Sequence, residues 1–163
     1  MVRLRTVDAA LRAPVLGLAP APGQARYSGV ARDTLPAAER HPTRRAVAIL
    51  RYGEAVGFFA LDHADQICAY TAPEPSVALR AFFVDERVQR QGIASSALRA
   101  LPRFVARHYR AASSVVLTVN VVNPVVVRLY RLAGFHDTGR MHLGATTGPQ
   151  HVLVLALERE ELA

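Results

Sequence analysis

The chain has 163 residues, of which 51% are hydrophobic and 20% are charged, a composition that indicates a folded globular protein of one domain and excludes a disordered one. All 20 basic residues are arginine and outnumber the 13 acidic residues, but they are scattered without a long run, which favours an anionic ligand over a nucleic-acid partner. The single cysteine excludes an intrachain disulfide, and neither it nor the six histidines have the spacing of a metal site.

The N-terminal region predicts a strand, a helix and a loop. Residues 2–6 alternate with arginine at every second position, as in a half-exposed strand. Asp8 is in the position of a helix cap ahead of a helix from Ala9 to about Leu16, and residues 17–29 are too rich in proline and glycine for regular structure. Charged residues and prolines interrupt the apolar stretches here, so we expect neither a signal peptide nor a membrane span, and a cytoplasmic location.

The next region predicts a second short helix and then a hairpin. Thr34 is in the position of a cap for a helix that has a proline in its first turn and stops before a His-Pro pair. Two apolar runs, residues 45–51 and 55–61, are joined by a Tyr-Gly-Glu turn and predict a β-hairpin. Gly57 inside the second run marks a bulge or a close packing contact.

The centre of the chain predicts a strand, a basic turn and a helix. The run Ala81–Val84 is short and aromatic enough for a buried strand, and beyond Gly92 the apolar residues recur at helical spacing. The first N–H groups of a helix have no partner within the helix and carry a partial positive charge, so a turn that leaves them uncovered is a candidate phosphate site. Four polar residues flank this turn: Arg87, Arg90, Ser95 and Ser96. Pro102 predicts a kink farther along the helix.

The C-terminal third predicts a strand, a helix and two more strands. Residues 115–122 are β-branched enough for a buried strand. Three consecutive valines favour a strand in the next segment as well, but Asn123 is a good helix cap, the proline after it is tolerated in a first turn, and Gly134 is a natural stop, so we predict a helix. Two strands are expected at residues 134–143 and 151–158.

The resulting order, β-α-α-β-β-β-α-β-α-β-β, predicts a mixed α/β fold in which helices cover both faces of one twisted sheet. This order and two motifs resemble the GNAT superfamily of N-acetyltransferases. The segment Gln89–Ala94 matches the superfamily signature Gln/Arg-x-x-Gly-x-Gly/Ala at every fixed position. A second motif, Asn-x-x-Ala-x-x-Leu-Tyr followed by Gly-Phe, is matched with Val126 in place of the alanine, and its other positions are Asn123, Leu129, Tyr130, Gly134 and Phe135.

The resemblance implies an acyl-CoA N-acyltransferase fold with a mostly antiparallel sheet, in a single domain over residues 1–163. It implies an enzyme that moves an acetyl group from acetyl-CoA directly to a primary amine of a small molecule or peptide within a ternary complex. Tyr130 would protonate the departing sulfur, and the residues implied to contact acetyl-CoA are Phe83, Val84, Gln89, Arg90, Gln91, Gly92, Ile93, Ala94, Ser95 and Asn123. No metal and no membrane is implied, and a homodimer is left open.

The general base is not identified by the residues. Where many members of the superfamily place a glutamate on the fourth strand, residues 77–81 contain no carboxylate. Asp62, Glu74 and Asp85 are alternatives that would act through water, although acidic residues in loops are more often simply solvated.

The acceptor and the class of protein also have alternatives. Residues 58–61, 79–85 and 148–151 loosely resemble the spermidine/spermine acetyltransferase branch, whereas a polycationic acceptor needs acidic residues that this basic chain has in smaller number. A protein N-terminus, an amino acid and an aminoglycoside are other acceptors. The alternatives to an enzyme are a catalytically silent acyl-CoA-binding domain and a basic regulatory domain that binds nucleic acid.

Overall fold

The structure is a computed structural model that describes residues 1–158. The chain has two compact units, Met1–Asp62 with Leu79–Leu101, and His63–Ala78 with the described chain from Pro102 onward. The elements in chain order are β1 (Val2–Thr6), α1 (Ala9–Leu16), α2 (Ala25–Ser28), α3 (Ala31–Arg40), β2 (Arg44–Arg51), β3 (Glu54–Asp62), β4 (Ser76–Val84), α4 (Ile93–His108), β5 (Ser114–Asn120), α5 (Pro124–Leu132), β6 (His136–His142) and β7 (Gln150–Ala156).

The predicted α/β architecture is confirmed: seven strands form one sheet that is mostly antiparallel, and the strands and longer helices follow the predicted order. No helix in the described part of the chain is long and apolar enough to cross a membrane. Helix α4 continues through Pro102, and the kink predicted there stays a prediction.

In the first unit the strand order is β1-β2-β3-β4. The predicted hairpin is confirmed, and its turn has positive φ at both Tyr52 (52°) and Gly53 (79°), the conformation that matches the twist of two antiparallel strands. The register of β2 and β3 shifts by one residue: Ile49 lies opposite Gly57 and Leu50 lies opposite Ala55. The strand therefore bulges beside Gly57, as predicted.

Gly57 also allows a close approach of two main chains. A Cβ atom there would lie 2.7 Å from the carbonyl oxygen of Phe83 in β4 and 2.8 Å from Cδ1 of Ile49 in β2, closer than non-bonded atoms approach. Helices α1 and α3 contribute Val15 and Leu35 to a buried core that also contains Phe83. The end of β4 is thus held by tight packing.

Two predictions for this unit were wrong. The helix expected to begin at Thr34 begins at Ala31, so Thr34 lies inside it, and its hydroxyl donates to the carbonyl oxygen of Val30 at 3.1 Å. The segment expected to be irregular contains the one-turn helix α2, which ends at Gly29 with φ 75°. The cap predicted at Asp8 is confirmed, because its Oδ1 accepts from the N–H of Leu11 at 2.9 Å.

In the second unit the strand order is β4-β5-β7-β6. Residues Ser76–Ala78 of β4 run parallel to Ser114–Val116 of β5, and β7 runs antiparallel to both β5 and β6. A 3-10 helix, Gln66–Thr71, packs Cys68 and Tyr70 against a buried cluster. The members of that cluster are Ile67, Ala78, Val116, Val152 and Val154.

Candidate functional site

The candidate site in the first unit is the turn that joins β4 to α4. After Val84 the chain forms a short 3-10 helix, Glu86–Val88, and then a loop in which Arg90 (φ 63°) and Gly92 (φ 76°) are left-handed. Glycine takes this conformation without strain, whereas arginine does so at a cost of about 1 to 2 kcal/mol. Loops with such residues turn successive N–H groups towards a common point, and these concavities bind anions.

The start of α4 is open. Gly92 is exposed, and a Cβ atom built on it would meet no other atom within 4 Å. The N–H of Ser96 donates to the carbonyl oxygen of Gly92 at 3.0 Å, which is the first hydrogen bond of the helix, so the N–H groups of residues 93–95 precede any partner within the helix. No acidic residue occupies the first turn. The partial positive charge of this helix end is therefore not neutralised locally.

Two glutamine side chains of the loop are held by hydrogen bonds to other residues of the first unit. Nε2 of Gln89 donates to the carbonyl oxygen of Val84 at 2.9 Å and to Oε1 of Gln24 at 3.0 Å. Oε1 of Gln91 accepts from Nη1 of Arg51 at 2.6 Å. Both side chains predicted to contact the cofactor are thus engaged by the protein, and neither Gln24 nor Arg51 was found from the sequence, because each is distant in the chain and belongs to no motif.

Asp85 was expected to be a solvated loop residue, with a base that acts through water as the alternative, and the expectation of a solvated residue was wrong. Its side chain is buried and accepts from Nε of Arg87 at 2.7 Å, from the N–H of Arg87 at 3.1 Å and from the N–H of Ala19 at 3.1 Å. Burial raises the pKa of Asp85, but the hydrogen bonds and the charge of Arg87 outweigh it and hold the pKa below the ordinary aspartate value. Asp85 is therefore an ionised structural anchor.

The other two acidic candidates differ from each other. Asp62 is buried and pairs with Nε of Arg44 at 3.1 Å, so the expectation of a solvated residue was wrong for it also. Glu74 is exposed, as expected.

Ala81, inside β4, has φ 58° and is a third left-handed residue near the turn. Sequence reasoning missed it because alanine carries no preference for this conformation. The two aromatic residues after it contact different neighbours: the Phe82 ring lies 5.8 Å from that of Phe59, and the Phe83 ring lies 6.3 Å from that of Phe58. The side chains of Phe83 and Val84 are buried, which leaves their main chain as the part that could meet a ligand.

The second group of predicted residues lies in the other unit and centres on Tyr130. Its side chain is buried on α5, with the ring of Phe135 edge-on at 5.5 Å between centroids. Burial raises the pKa of Tyr130 well above its ordinary value, because the phenolate would lose its hydration. The phenol therefore keeps its proton throughout the neutral range.

The predicted helix is confirmed: α5 begins at Pro124 and contains the three consecutive valines, although valine favours strands. Asn123 precedes it as predicted but forms no side-chain cap; its carbonyl oxygen accepts from the N–H of Val127 at 3.1 Å. The asparagine with a structural side chain is Asn120, whose Nδ2 donates to the carbonyl oxygen of Thr147 at 2.7 Å and whose Oδ1 accepts from the N–H of Val122 at 3.0 Å. Asparagine favours turns, so its position at the end of a strand was the sequence signal that could have predicted this role of Asn120.

The predicted residues thus fall into two groups. Phe83, Val84 and the segment Gln89–Ser95 are contiguous in the first unit, and Asn123 and Tyr130 lie in the second. Within the described residues no group of histidine, cysteine and carboxylate side chains could hold a metal ion.

Comparison with known proteins bears on the family and the fold of the chain. The model of the Acetyltransferase (GNAT) family matches residues 18–135, and this range includes both motifs. No curated protein matches the chain by sequence.

Solved structures share the fold. The aminoglycoside acetyltransferase AAC(6')-Ib, in complex with coenzyme A and kanamycin, has a TM-score of 0.75 at 16% identity and covers 96% of this chain and 95% of its own. The same enzyme with paromomycin and acetyl-CoA has a TM-score of 0.74 at 15% identity, with 95% and 93% covered. The spermidine N-acetyltransferase of Vibrio cholerae, in complex with CoA and spermine, has a TM-score of 0.71 at 14% identity, with 96% and 95% covered.

Proposed function

The chain belongs to the GNAT family of acetyltransferases, and we propose that it moves an acetyl group from acetyl-CoA to a primary amine of a small molecule or peptide. The observation that carries this proposal is the open start of α4 behind a loop with two left-handed residues, Arg90 and Gly92. That arrangement offers main-chain N–H groups and a positive helix end to a diphosphate.

The donor would be held mainly by main-chain atoms. The N–H groups of residues 93–95 face the diphosphate, and the exposed guanidinium of Arg90 adds charge at the rim. The main chain of Phe83 or Val84 supplies an N–H to the thioester carbonyl oxygen, where negative charge develops in the transition state. Such placement of two reactants can lower the barrier by about 7 to 11 kcal/mol.

Tyr130 is proposed as the general acid. The amine nitrogen attacks the thioester carbonyl carbon, so that a C–N bond forms and the C–S bond breaks, and the departing sulfur takes the phenolic proton of Tyr130. The phenol regains a proton from solvent, and the amine nitrogen releases one to solvent. The phenol of Tyr130 carries its proton at neutral pH, as a general acid must, although burial raises its pKa and so makes it a weaker acid.

No carboxylate is proposed as the base. Asp62 and Asp85, two of the acidic candidates, are buried in ion pairs with arginines, and their protonation would break those pairs. We propose instead that the acceptor loses its proton to water on entering the site. Rates should then rise with pH towards the pKa of the acceptor amine.

Two measurements test the proposal. Titration of the protein with CoA should give micromolar binding, and incubation with acetyl-CoA and a panel of amines should release a free thiol. The panel should begin with aminoglycosides and polyamines, because the relatives of known structure are complexes with kanamycin, paromomycin and spermine. Binding of CoA without thiol release for any amine would indicate a silent acyl-CoA-binding domain. Binding of DNA without binding of CoA would indicate a regulatory domain instead.

A further inference from the structure

Arg51 is the last residue of β2 and lies outside both motifs. Its Nη1 donates to Oε1 of Gln91 at 2.6 Å, which places the guanidinium beside the residue that precedes Gly92. The space at Gly92 is open, and α4 begins at the next residue. Arg51 therefore belongs to a strand, and its guanidinium reaches the edge of the candidate diphosphate loop, where Gln91 holds it.

The partner of Arg51 is neutral, and this distinguishes it from other arginines of the same unit. Arg12, Arg44 and Arg87 pair with the carboxylates of Glu39, Asp62 and Asp85 at 2.7 to 3.1 Å. Arg51 forms no ion pair within the described residues, although Glu54 lies opposite it across the hairpin. An amide orients a guanidinium without cancelling its charge.

The guanidinium also keeps unused donors. It has five N–H groups, and the bond to Gln91 uses one of them. Its planar fork suits phosphate oxygens, which accept two parallel hydrogen bonds. An oriented, uncompensated guanidinium with free donors beside an anion-binding helix start has the properties of a phosphate ligand.

We propose that Arg51 binds a phosphate group of the acyl-CoA donor, with Gln91 holding its guanidinium in place. This inference rests on the proposed function, since it names a further residue of the same donor site. Two phosphate sources share this chemistry: the diphosphate and the 3′-phosphate of the adenosine.

The experiment compares CoA dissociation constants, by calorimetry, for the wild-type protein, Arg51→Ala, Arg51→Lys and Arg3→Ala. Arg3 is a matched control because it is exposed on the neighbouring strand β1 and carries the same charge. We expect Arg51→Ala to bind about tenfold more weakly, as for loss of a hydrogen bond to a charged group. Arg51→Lys should be intermediate because it keeps the charge without the fork. Arg3→Ala should stay within about twofold, because Arg3 lies opposite Leu50 and its side chain is therefore on the other face of the sheet from that of Arg51.

A second ligand identifies the phosphate. A loss that persists with 3′-dephospho-CoA assigns Arg51 to the diphosphate, and a loss that disappears assigns it to the 3′-phosphate. Equal affinities for Arg51→Ala and Arg3→Ala would overturn the proposal, whereas failure of the wild-type protein to bind CoA would overturn the proposed function itself. If Arg51→Ala lowers the unfolding temperature, Arg51→Gln replaces it under the same criterion.

Discussion

The main-chain N–H of Ala19 donates a hydrogen bond to the carboxylate of Asp85 at 3.1 Å, although 66 positions separate the two residues. A second hydrogen bond joins the same segments: the N–H of Glu86 donates to the carbonyl oxygen of Ala19 at 2.9 Å. This double link ties the segment after α1 to the first residues beyond β4. The shape of the candidate diphosphate loop therefore depends on a segment outside it.

Asp85→Asn should destabilise the fold by about 2 kcal/mol at pH 7, because a buried group that accepts three hydrogen bonds is replaced by one that carries donors of its own. The folded-state pKa of Asp85 is lowered, so its stabilisation is complete above the ordinary aspartate pKa of about 4 and is lost as pH falls below it. Urea unfolding from pH 7 to pH 3 should show the wild type converging on the variant. Glu86→Gln, at an exposed neighbouring carboxylate, is the control and should change stability little.

Tyr130→Phe should lower kcat by about 10² to 10⁴, the usual contribution of a positioned general acid, with little change in CoA affinity. Phenylalanine preserves the edge-on contact with Phe135, so folding should be retained. Steady-state kinetics with the best amine of the panel, together with CoA calorimetry, measure the two effects separately. An unchanged kcat would remove Tyr130 from the mechanism.

Gly57→Ala should destabilise the first unit by about 1 to 3 kcal/mol, the typical cost of overpacking, since its Cβ atom would lie 2.7 Å from a main-chain oxygen. Chemical denaturation measures this. Gly17→Ala is the matched control: its Cβ atom would lie 3.6 Å from the nearest atom, an ordinary contact, at a normal φ of −82°. Equal effects of the two substitutions would contradict the close approach of β3 to β4.

Gly92→Ala should weaken CoA binding through strain in the main chain rather than through a clash. The new methyl group would have room, but φ 76° costs an alanine about 1 to 2 kcal/mol, which the loop can relieve only by moving its N–H groups. Gly23→Ala is the control, because the space there is equally open and φ is not positive. Calorimetry should show weaker binding for the first variant and unchanged binding for the second.

Most elements could be predicted because local signals agreed with the final contacts. Helix α5 shows how: propensity favoured a strand at three valines, but the proline after Asn123 and the glycine at residue 134, with φ 105°, set both ends of a helix. Residues that mark helix ends are strong signals because they satisfy unpaired main-chain groups or adopt a left-handed conformation without strain.

The rest depended on partners distant in the chain. Nothing near Asp85 shows that it will be buried against Ala19, and nothing near Arg51 shows that it will reach Gln91. Ala81 gave no signal for its left-handed conformation, since only tertiary contacts impose that on alanine. Thr34 misled because a residue type that favours caps can also lie inside a helix, where its hydroxyl donates to the carbonyl oxygen four residues earlier.

Gln89, at the first position of the signature, holds the loop of this chain through its side-chain amide. Its amide nitrogen carries two hydrogens, and the structure commits them to Val84 and Gln24. Arginine, the other residue that the signature admits, also brings at least two hydrogens on a long stem, whereas glutamate brings none and asparagine is one methylene shorter. Slow deamidation of Gln89 would therefore set a carboxylate against a carbonyl oxygen, and an ageing sample would lose its loop geometry by the exchange of a single nitrogen.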